Sequence, residues 1–184
     1  MNLEQFAEQR WGPKCRQDVT DEAQASGKYL DAIAVSAFDN LRTYSNCCRS
    51  TLHAVQFHLR LPDTGSLKAS AALAGGIGGT GETCGAILGG LMAIGLFLGS
   101  DDPRDEDTQE IARQAAKRFV KQILDRYGTT RCHELQEALI GWRLDDPARM
   151  EDWRAAGGPI ACATICAEAA RDAAAIILDP PDSR

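Results

Sequence analysis

Apolar residues recur every three or four positions along most of the chain, which is the spacing of one face of an α-helix. Leu30, Ile33, Ala37 and Leu41 form one such stripe. We expect helical segments over residues 1–16, 21–40, 47–61, 66–74, 84–98, 108–127, 132–141, 148–155 and 159–178, of which those at 1–16, 66–74, 132–141 and 148–155 are short. No run of alternating apolar and polar residues predicts a strand. The pattern therefore favours an all-α fold, a single-domain helical bundle of about six to eight helices.

Several residues mark where these helices begin and end. Asn46 is a suitable N-cap for the helix that follows it. Thr80 or Thr83 is expected to cap the long uncharged helix further along. Gly128 ends the next amphipathic helix, and Pro159 opens the last one.

Composition agrees with a single helical domain. The chain has 184 residues, a usual size for one domain. Only 6% of the residues are aromatic and 17 are glycine, which suits closely packed helices better than a β-sandwich. We expect one helical domain over residues 1–184, with an N-terminal extension at 1–20 and a cysteine-motif region at 25–178.

The longest uncharged segment runs from Thr83 to Gly99. It is shorter than the roughly 20 residues that a membrane-spanning helix needs, so we expect a buried core helix and no membrane span. Small residues four positions apart allow close helix approach, either in the core or across a homodimer seam: Gly85 with Gly89, and Ala86 with Gly90.

The charge and the cysteine content narrow the class of protein. A formal net charge of −6 argues against binding to nucleic acid, which depends on Lys and Arg. The first residues contain no apolar secretory segment, which indicates a cytoplasmic protein with reduced thiols. Seven cysteines are more than packing requires. In a reducing compartment they indicate metal ligands or redox groups rather than structural disulfides.

Four predicted helices place cysteines near their N-terminal ends. The partial positive charge of a helix N-terminus stabilises a thiolate, which is both the nucleophile and the metal ligand. Backbone N–H groups there can also donate to the sulfurs of an iron–sulfur cluster. The candidate metal ligands are Cys47, Cys84, Cys132, Cys162, Cys48 and Cys166.

Cys162 and Cys166 lie four residues apart and so share one helix face. They could be two ligands of one metal or a ligand with a resolving thiol. Alternatively, Cys166 is a small core residue. Cys15 lies in the irregular N-terminal segment.

A glycine-rich segment, residues 75–81, precedes Cys84 and is expected to be a loop. Glycines let the backbone approach a bound group closely and present N–H donors to it. The candidate cofactor-binding positions are Gly78, Gly79, Gly81 and Gly85. The segment formally spells G-x-G-x-x-G, but residues 71–74 ahead of it do not resemble a strand. A dinucleotide site is therefore not expected.

The histidines are weaker candidates. His53 and His58 lie five residues apart and do not share one helix face well, so we expect surface or partly buried residues. His133 follows Cys132 directly and is the better candidate for an imidazole ligand beside thiolates.

The segment that begins at Cys84 carries a recognisable motif. Cys84-Gly85-Ala86-Ile87-Leu88-Gly89 resembles the central Cys-Gly-Ala-x-x-Gly motif of the redox-active family labelled C-GCAxxG-C-C. The pair Asn46-Cys47 resembles the first cysteine of that family, which usually follows an Asn. The resemblance covers roughly residues 25–178.

The two later cysteines of the family match by order and local context. Cys132, in Cys132-His133-Glu134-Leu135, resembles the third, and Cys162, ahead of Ala169-Ala170, resembles the fourth. The chain departs from the family label at Thr83, where the label has glycine. It also has three additional cysteines, Cys15, Cys48 and Cys166.

The resemblance implies an all-helical fold with a four-cysteine redox or metal site. The chain is also similar to the cysteine-cluster part of split-Soret cytochromes, which pair such a site with haem. It contains no Cys-x-x-Cys-His, so covalent haem attachment is not implied.

Three functions are consistent with these residues. The first is electron transfer by an iron–sulfur cluster on Cys47, Cys84, Cys132 and Cys162. The second is a thiol–disulfide redox protein, with a low-pKa thiol such as Cys84 as the attacking group. The third is a zinc- or copper(I)-binding module without catalysis. The expected partner is a redox partner protein or a transporter-associated protein, which the sequence does not name.

Overall fold

A computed structural model describes residues 27–61 and 65–181. Its helices are α1 (Gly27–Tyr44), α2 (Cys47–Leu59), α3 (Ser66–Ala69), α4 (Ala74–Ile77), α5 (Gly85–Leu98), α6 (Glu106–Tyr127), α7 (Cys132–Ile140), α8 (Met150–Ala155) and α9 (Gly158–Leu178), with 3-10 turns at Ser70–Leu73 and Pro147–Arg149. Within these residues there is no strand, only an isolated bridge between Thr83 and Arg131. The all-α prediction is confirmed. The helix expected at 1–16, the N-terminal extension and Cys15 lie outside the described residues.

Most of the expected helix ends are confirmed, with one exception. The Asn46 side chain accepts a hydrogen bond from the backbone N–H of Arg49 at 3.0 Å and caps α2. Gly128, with a φ of 74°, ends α6. The threonine cap expected for α5 is wrong, because Cys84 occupies the N-cap position and makes no side-chain cap hydrogen bond. The Thr80 hydroxyl instead donates to a carbonyl inside the glycine-rich segment.

The glycine-rich segment is more ordered than the loop that its composition predicts. Its first part forms the short helix α4, in which Gly75 and Gly76 have left-handed backbone conformations, with φ values of 66° and 70°. A Cβ atom on Gly76 would lie 2.6 Å from the backbone nitrogen of Glu82. The segment therefore turns back on itself, and a side chain at Gly76 would prevent that close return.

Helix α5 lies in the middle of the core, between α2, α6 and α9. A Cβ on Gly89 would lie 2.4 Å from the Cys48 carbonyl oxygen, and one on Gly90 would lie 2.6 Å from the Phe119 ring. Gly89 and Gly90 therefore allow close packing of α5 against α2 and α6 within the core of this chain. None of the helices in the described ranges combines the length and apolar character needed to cross a membrane.

A partly buried charge cluster ties α6 to α9. The guanidinium of Arg126 lies 2.9 Å from a carboxylate oxygen of Asp172, which is only 8% exposed. Arg126 also pairs with Glu168 at 3.2 Å, and the Tyr127 hydroxyl donates to the same carboxylate. These contacts satisfy charges that would otherwise be costly to bury between two helices.

Candidate functional site

The segments that precede Cys84 and Cys132 are joined by backbone hydrogen bonds. The N–H of Cys84 donates to the Thr130 carbonyl at 2.9 Å, and the N–H of Cys132 donates to the Glu82 carbonyl at 2.7 Å. These bonds frame the bridge between Thr83 and Arg131. Because α5 and α7 begin directly after this bridge, their first thiols are brought together.

Cys47 is the first residue of α2, and its side chain lies beside those of Cys84 and Cys132. Its neighbour Asn46 caps the helix and donates through its side-chain amide to the Ala71 carbonyl at 3.1 Å, which fixes the start of α2. A Cβ atom on Gly85 would lie 2.5 Å from the Cys47 sulfur and 2.8 Å from the Leu73 carbonyl oxygen. The glycine after Cys84 is therefore the residue that allows the Cys47 sulfur to approach α5.

Three of the cavity thiols form a row, in which Cys84 lies between Cys47 and Cys132. The pKa of Cys84 is raised by both of its neighbours. The side-chain amide of Gln136 donates to the Cys132 sulfur at 3.4 Å. Cys84 and Cys132 are 4% and 5% exposed, whereas Cys47 is half-buried. Solvent and small molecules therefore have access to the Cys47 end of the row.

The pKa values of the three thiols differ, and Cys47 is the one that is best stabilised as a thiolate. Its pKa is lowered to about 6, chiefly by the hydrogen bond with the Cys84 thiol and further by the backbone N–H groups of Gly75, Cys48 and Cys47 itself, while burial opposes the shift. The pKa of Cys84 is raised well above the usual range, because it donates to Cys132 and Cys47 and is buried. The attacking thiol that we expected at Cys84 is therefore better placed at Cys47.

Cys132 competes with Cys47 for the same donor. Its pKa is also lowered, first by the hydrogen bond with Cys84 and, more weakly, by the amide of Gln136, against the effect of burial. A thiol has one proton and donates to one acceptor at a time. The backbone donors around Cys47 have no equivalent at Cys132, so the negative charge of the row is best stabilised at Cys47.

Cys162 completes the set from the second turn of α9. It lines a cavity of about 480 Å³ together with Cys47, Cys84 and Cys132. Burial raises its pKa to about 12, so at neutral pH it is a protonated thiol. The structure thus brings the four family-like cysteines to one cavity, each near the N-terminal end of its own helix.

Two further side chains support the cavity, and neither was singled out as a site residue from the sequence. The Gln136 carbonyl oxygen accepts hydrogen bonds from the Trp153 indole at 3.0 Å and from the Leu144 N–H at 2.9 Å, while its amide holds Cys132. Trp153 packs so closely on Gly158 that a Cβ there would lie 2.0 Å from the ring. Gln136 lies four residues after Cys132, one helical turn away, which is the only sequence signal for its role.

Cys48 and Cys166, which we included among the candidate ligands, lie outside the cavity lining. Both are fully buried in the core. The Cys48 sulfur contacts the Met92 sulfur at 3.9 Å, and burial raises its pKa to about 12. The Cys166 thiol donates to the Cys47 carbonyl at 3.7 Å, and burial raises its pKa well above the usual range. Both environments are those of packing residues.

The candidate glycines are placed in different ways. Gly85 lies against the Cys47 sulfur, as described above. A Cβ on Gly81 would lie 2.2 Å from the His133 ring, so Gly81 makes room for that histidine. Gly78 and Gly79 are exposed and do not line the cavity, whereas Gly75, which was not among the candidates, does.

The histidines do not line the cavity. One ring nitrogen of His53 lies 3.3 Å from the Asn40 side-chain amide. His58 accepts a hydrogen bond from the Tyr29 hydroxyl through its carbonyl, at 2.6 Å. His133 packs on Gly81 on the far side of the backbone bridge.

The four thiols have the chemistry of ligands for a soft metal or an iron–sulfur cluster. The positions of the four sulfurs also have to fit such a centre. Across residues 27–61 and 65–181, no group of three or more His, Cys, Asp or Glu side chains is positioned to hold a metal ion. The arrangement is that of four thiols that line one cavity.

A family model matches residues 45–178, which include all four cavity cysteines. The family is described as "Putative redox-active protein (C_GCAxxG_C_C)". Comparison with curated proteins and with solved structures gave no match. The family match confirms the resemblance drawn from the sequence.

Proposed function

The chain belongs to the C_GCAxxG_C_C family of redox-active proteins, and we propose that its redox group is a thiol pair, Cys47 and Cys84, which oxidises to a disulfide. The observation that carries this proposal is that both thiols line one cavity and that the Cys47 sulfur packs against Gly85, the residue that follows Cys84. One member of the pair is a thiolate that small molecules can reach, and the other is a buried thiol beside it.

The proposed reaction is an exchange with a disulfide substrate. The Cys47 thiolate attacks one sulfur of the substrate, the S–S bond breaks, and the other half leaves as a thiolate. The Cys84 sulfur, on losing its proton, then attacks Cys47 in the mixed disulfide and releases the second half of the substrate. The substrate is reduced by two electrons, and the protein is oxidised by two electrons to a Cys47–Cys84 disulfide.

The other two cavity cysteines have supporting roles in this proposal. The Cys132 sulfur accepts a hydrogen bond from the Cys84 thiol, which lowers the pKa of Cys132. In the proposed reaction Cys132 takes up the Cys84 proton, and Cys84 becomes a thiolate that can attack. Cys162 stays protonated and lines the cavity. A reducing compartment such as the cytoplasm, with a redox partner protein, would return the pair to the thiol form.

Mass spectrometry tests the pair directly. The reduced full-length protein is oxidised with one equivalent of diamide, alkylated and digested with trypsin. Cys47 and Cys48 fall in the same tryptic peptide, because Arg42 and Arg49 are the nearest cleavage sites. The experiment therefore uses the Cys48→Ala variant as its background.

We expect a cross-linked peptide that joins Cys47 to Cys84 and has lost two hydrogens. Cys166→Ala, which removes a buried thiol outside the cavity, should leave this product unchanged. Replacing Cys84 with alanine should abolish it. A dominant cross-link between Cys162 and Cys166, or no intramolecular cross-link, would contradict the proposal.

A second candidate function is electron transfer by an iron–sulfur cluster. The observation that favours it is that Cys162 faces the same cavity as the other three thiols, which disulfide exchange at Cys47 and Cys84 does not require. The ligands would be Cys47, Cys84, Cys132 and Cys162, and the cluster would supply one-electron chemistry. The thiol contacts would have to open for this, because their present arrangement is not that of a metal site.

Anaerobic purification separates the two candidates. A cluster predicts a visible absorption band with stoichiometric iron and sulfide, lost in Cys162→Ala. Zinc or copper(I) bound without absorption, measured by metal analysis, would instead indicate a metal-binding module. Colourless, metal-free protein after anaerobic reconstitution would leave the thiol pair as the redox group.

A further inference from the structure

The cavity beside Cys47 has the size and lining of a small-molecule site. Its volume of about 480 Å³ lies within the range of ligand pockets, roughly 300–1,000 Å³. Apolar side chains form much of the wall, including Leu41, Leu144, Met150 and Trp153. Such a wall accepts the organic part of a substrate and excludes water from around the reacting sulfurs.

Among the described residues, the charged side chains that line the cavity are all of one sign. They are Arg42 and Arg154, and this part of the lining contains no Asp or Glu. This is unusual for a chain whose net charge is −6. A cavity with cationic groups and no carboxylate attracts an anionic ligand.

The two arginines differ in availability. Arg154 is engaged by Glu151, which pairs with it across one helical turn of α8. Arg42, at the C-terminal end of α1, makes no ion pair or side-chain hydrogen bond to any residue in the described part of the chain. Within residues 27–61 and 65–181 the five donors of its guanidinium have no partner, and their fork geometry suits a carboxylate or a phosphate.

We propose that the cavity binds a small anionic disulfide, whose carboxylate or phosphate pairs with Arg42 while its S–S bond meets Cys47. This inference rests on the proposed thiol function and adds the class of substrate. The Cys47 thiolate forms a bond to one substrate sulfur, the S–S bond breaks, and the anionic half that leaves does so beside a guanidinium. Arg42 is a binding residue in this scheme and takes no part in bond making.

Two reagents of different charge test the proposal. The reduced full-length protein is mixed with dithiobis(nitrobenzoate), which is anionic, or with dithiodipyridine, which is neutral at neutral pH. The release of the coloured thiol gives the rate of reaction, and mass spectrometry in the Cys48→Ala background shows whether Cys47 is oxidised, either as a mixed disulfide or as the Cys47–Cys84 disulfide. Each variant is compared with the unmodified chain for the same reagent, so the intrinsic reactivity of the reagents cancels.

Arg42→Gln should slow the anionic reagent about tenfold, the size of a charge-assisted contact, and change the neutral reagent by less than about twofold. Arg49→Gln is the matched control, because it removes an equal charge two residues from Cys47 but outside the cavity lining. It should change both rates by less than about twofold. High salt should reduce the effect of Arg42→Gln, since exposed charges are screened.

Two outcomes would overturn the inference while leaving the thiol function intact. In one, Arg42→Gln slows both reagents equally. In the other, Arg42→Gln and Arg49→Gln slow the anionic reagent equally. That result would indicate long-range electrostatic attraction by surface charge and no direct contact between Arg42 and the reagent. If the neutral reagent leaves Cys47 as a free thiol, with neither a mixed disulfide nor a Cys47–Cys84 disulfide, the proposed thiol function itself fails, and the substrate class fails with it.

Discussion

The ionisation of Cys47 gives the sharpest prediction from this structure. Its pKa is lowered to about 6, mainly by the hydrogen bond from Cys84. An ordinary thiol has a pKa near 8.5, so at pH 6 about half of the Cys47 sulfur is thiolate, compared with roughly 0.3% of an ordinary thiol. Because the reactive form is the thiolate, reactivity should be present above pH 6 and lost as the pH falls below it.

The size of the rate advantage depends on two opposing effects. The thiolate fraction at pH 6 is higher by roughly 150-fold, but a thiolate of lower pKa is intrinsically less nucleophilic, by about one order of magnitude for this shift. The net advantage is then roughly tenfold at pH 6, and at pH 8 it reverses to a deficit of about two- to threefold, because an ordinary thiol is by then about one quarter thiolate. The midpoint of the pH profile is therefore a better measure than the rate at any single pH.

Alkylation with iodoacetamide between pH 4 and 10, followed by mass spectrometry in the Cys48→Ala background, gives that midpoint for Cys47. We expect about 6 for the unmodified site. In Cys84→Ala the largest stabilising hydrogen bond is lost, so the midpoint should rise by about one pH unit or more. Cys166→Ala removes a buried thiol that donates to the Cys47 carbonyl and lies outside the cavity lining, and it should leave the midpoint in place.

Two results would refute this reasoning. One is a midpoint near 8.5 in the unmodified site, which would mean that the amide and thiol donors do not stabilise the charge. The other is a low midpoint that persists in Cys84→Ala, which would assign the effect to the helix N-terminus alone. Thermal unfolding of each variant under the labelling conditions shows whether the protein is folded when it is measured.

The remaining predictions concern stability and can be measured by urea unfolding. Gly85→Ala places a methyl group 2.5 Å from the Cys47 sulfur and should destabilise the fold by about 1–3 kcal/mol. Gly95→Ala in the same helix meets no atom within 4 Å and should stabilise the fold by about 0.5–1 kcal/mol. Equal effects of the two substitutions would contradict the close approach of the Cys47 sulfur to α5. Asp172→Ala should lower the free energy of unfolding by about 1–2 kcal/mol, which is less than the loss of a fully buried ion pair because its partner Arg126 is partly exposed. Asp31→Ala removes an exposed ion pair and should lower it by less than about 1 kcal/mol. Phe119→Ala should cost about 3–5 kcal/mol, because that ring is fully buried, and a loss below about 1 kcal/mol would be inconsistent with its place in the core.

Local sequence signals were sufficient for the helices and for the cysteines near their N-terminal ends. The apolar stripe ahead of Gly128, the capping Asn46 and the proline near the start of α9 act within one or two turns of the chain. Such signals depend on neighbours in sequence and can be read from it. The same holds for the grouping of Cys84 with a glycine at the next position.

The distribution of charge among the thiols could not be predicted in this way. The Cys47 thiolate depends on the Cys84 thiol and on the Gly75 amide, which are remote in sequence and meet only in the folded chain. The exclusion of Cys48 from the cavity could have been inferred. Successive residues of a helix point about 100° apart, so two adjacent cysteines do not face one cavity. Gln136 was missed because a buried amide has no distinctive sequence signal.

The bridge that joins the start of α5 to the start of α7 is made of main-chain atoms. The donors are the N–H groups of Cys84 and Cys132, and the acceptors are the carbonyls of Thr130 and Glu82, so the bonds do not depend on the side chains of Thr83 and Arg131. The spacing of the two buried sulfurs is therefore set by the main chain, as a rigid frame on which surface side chains can be exchanged without moving the site.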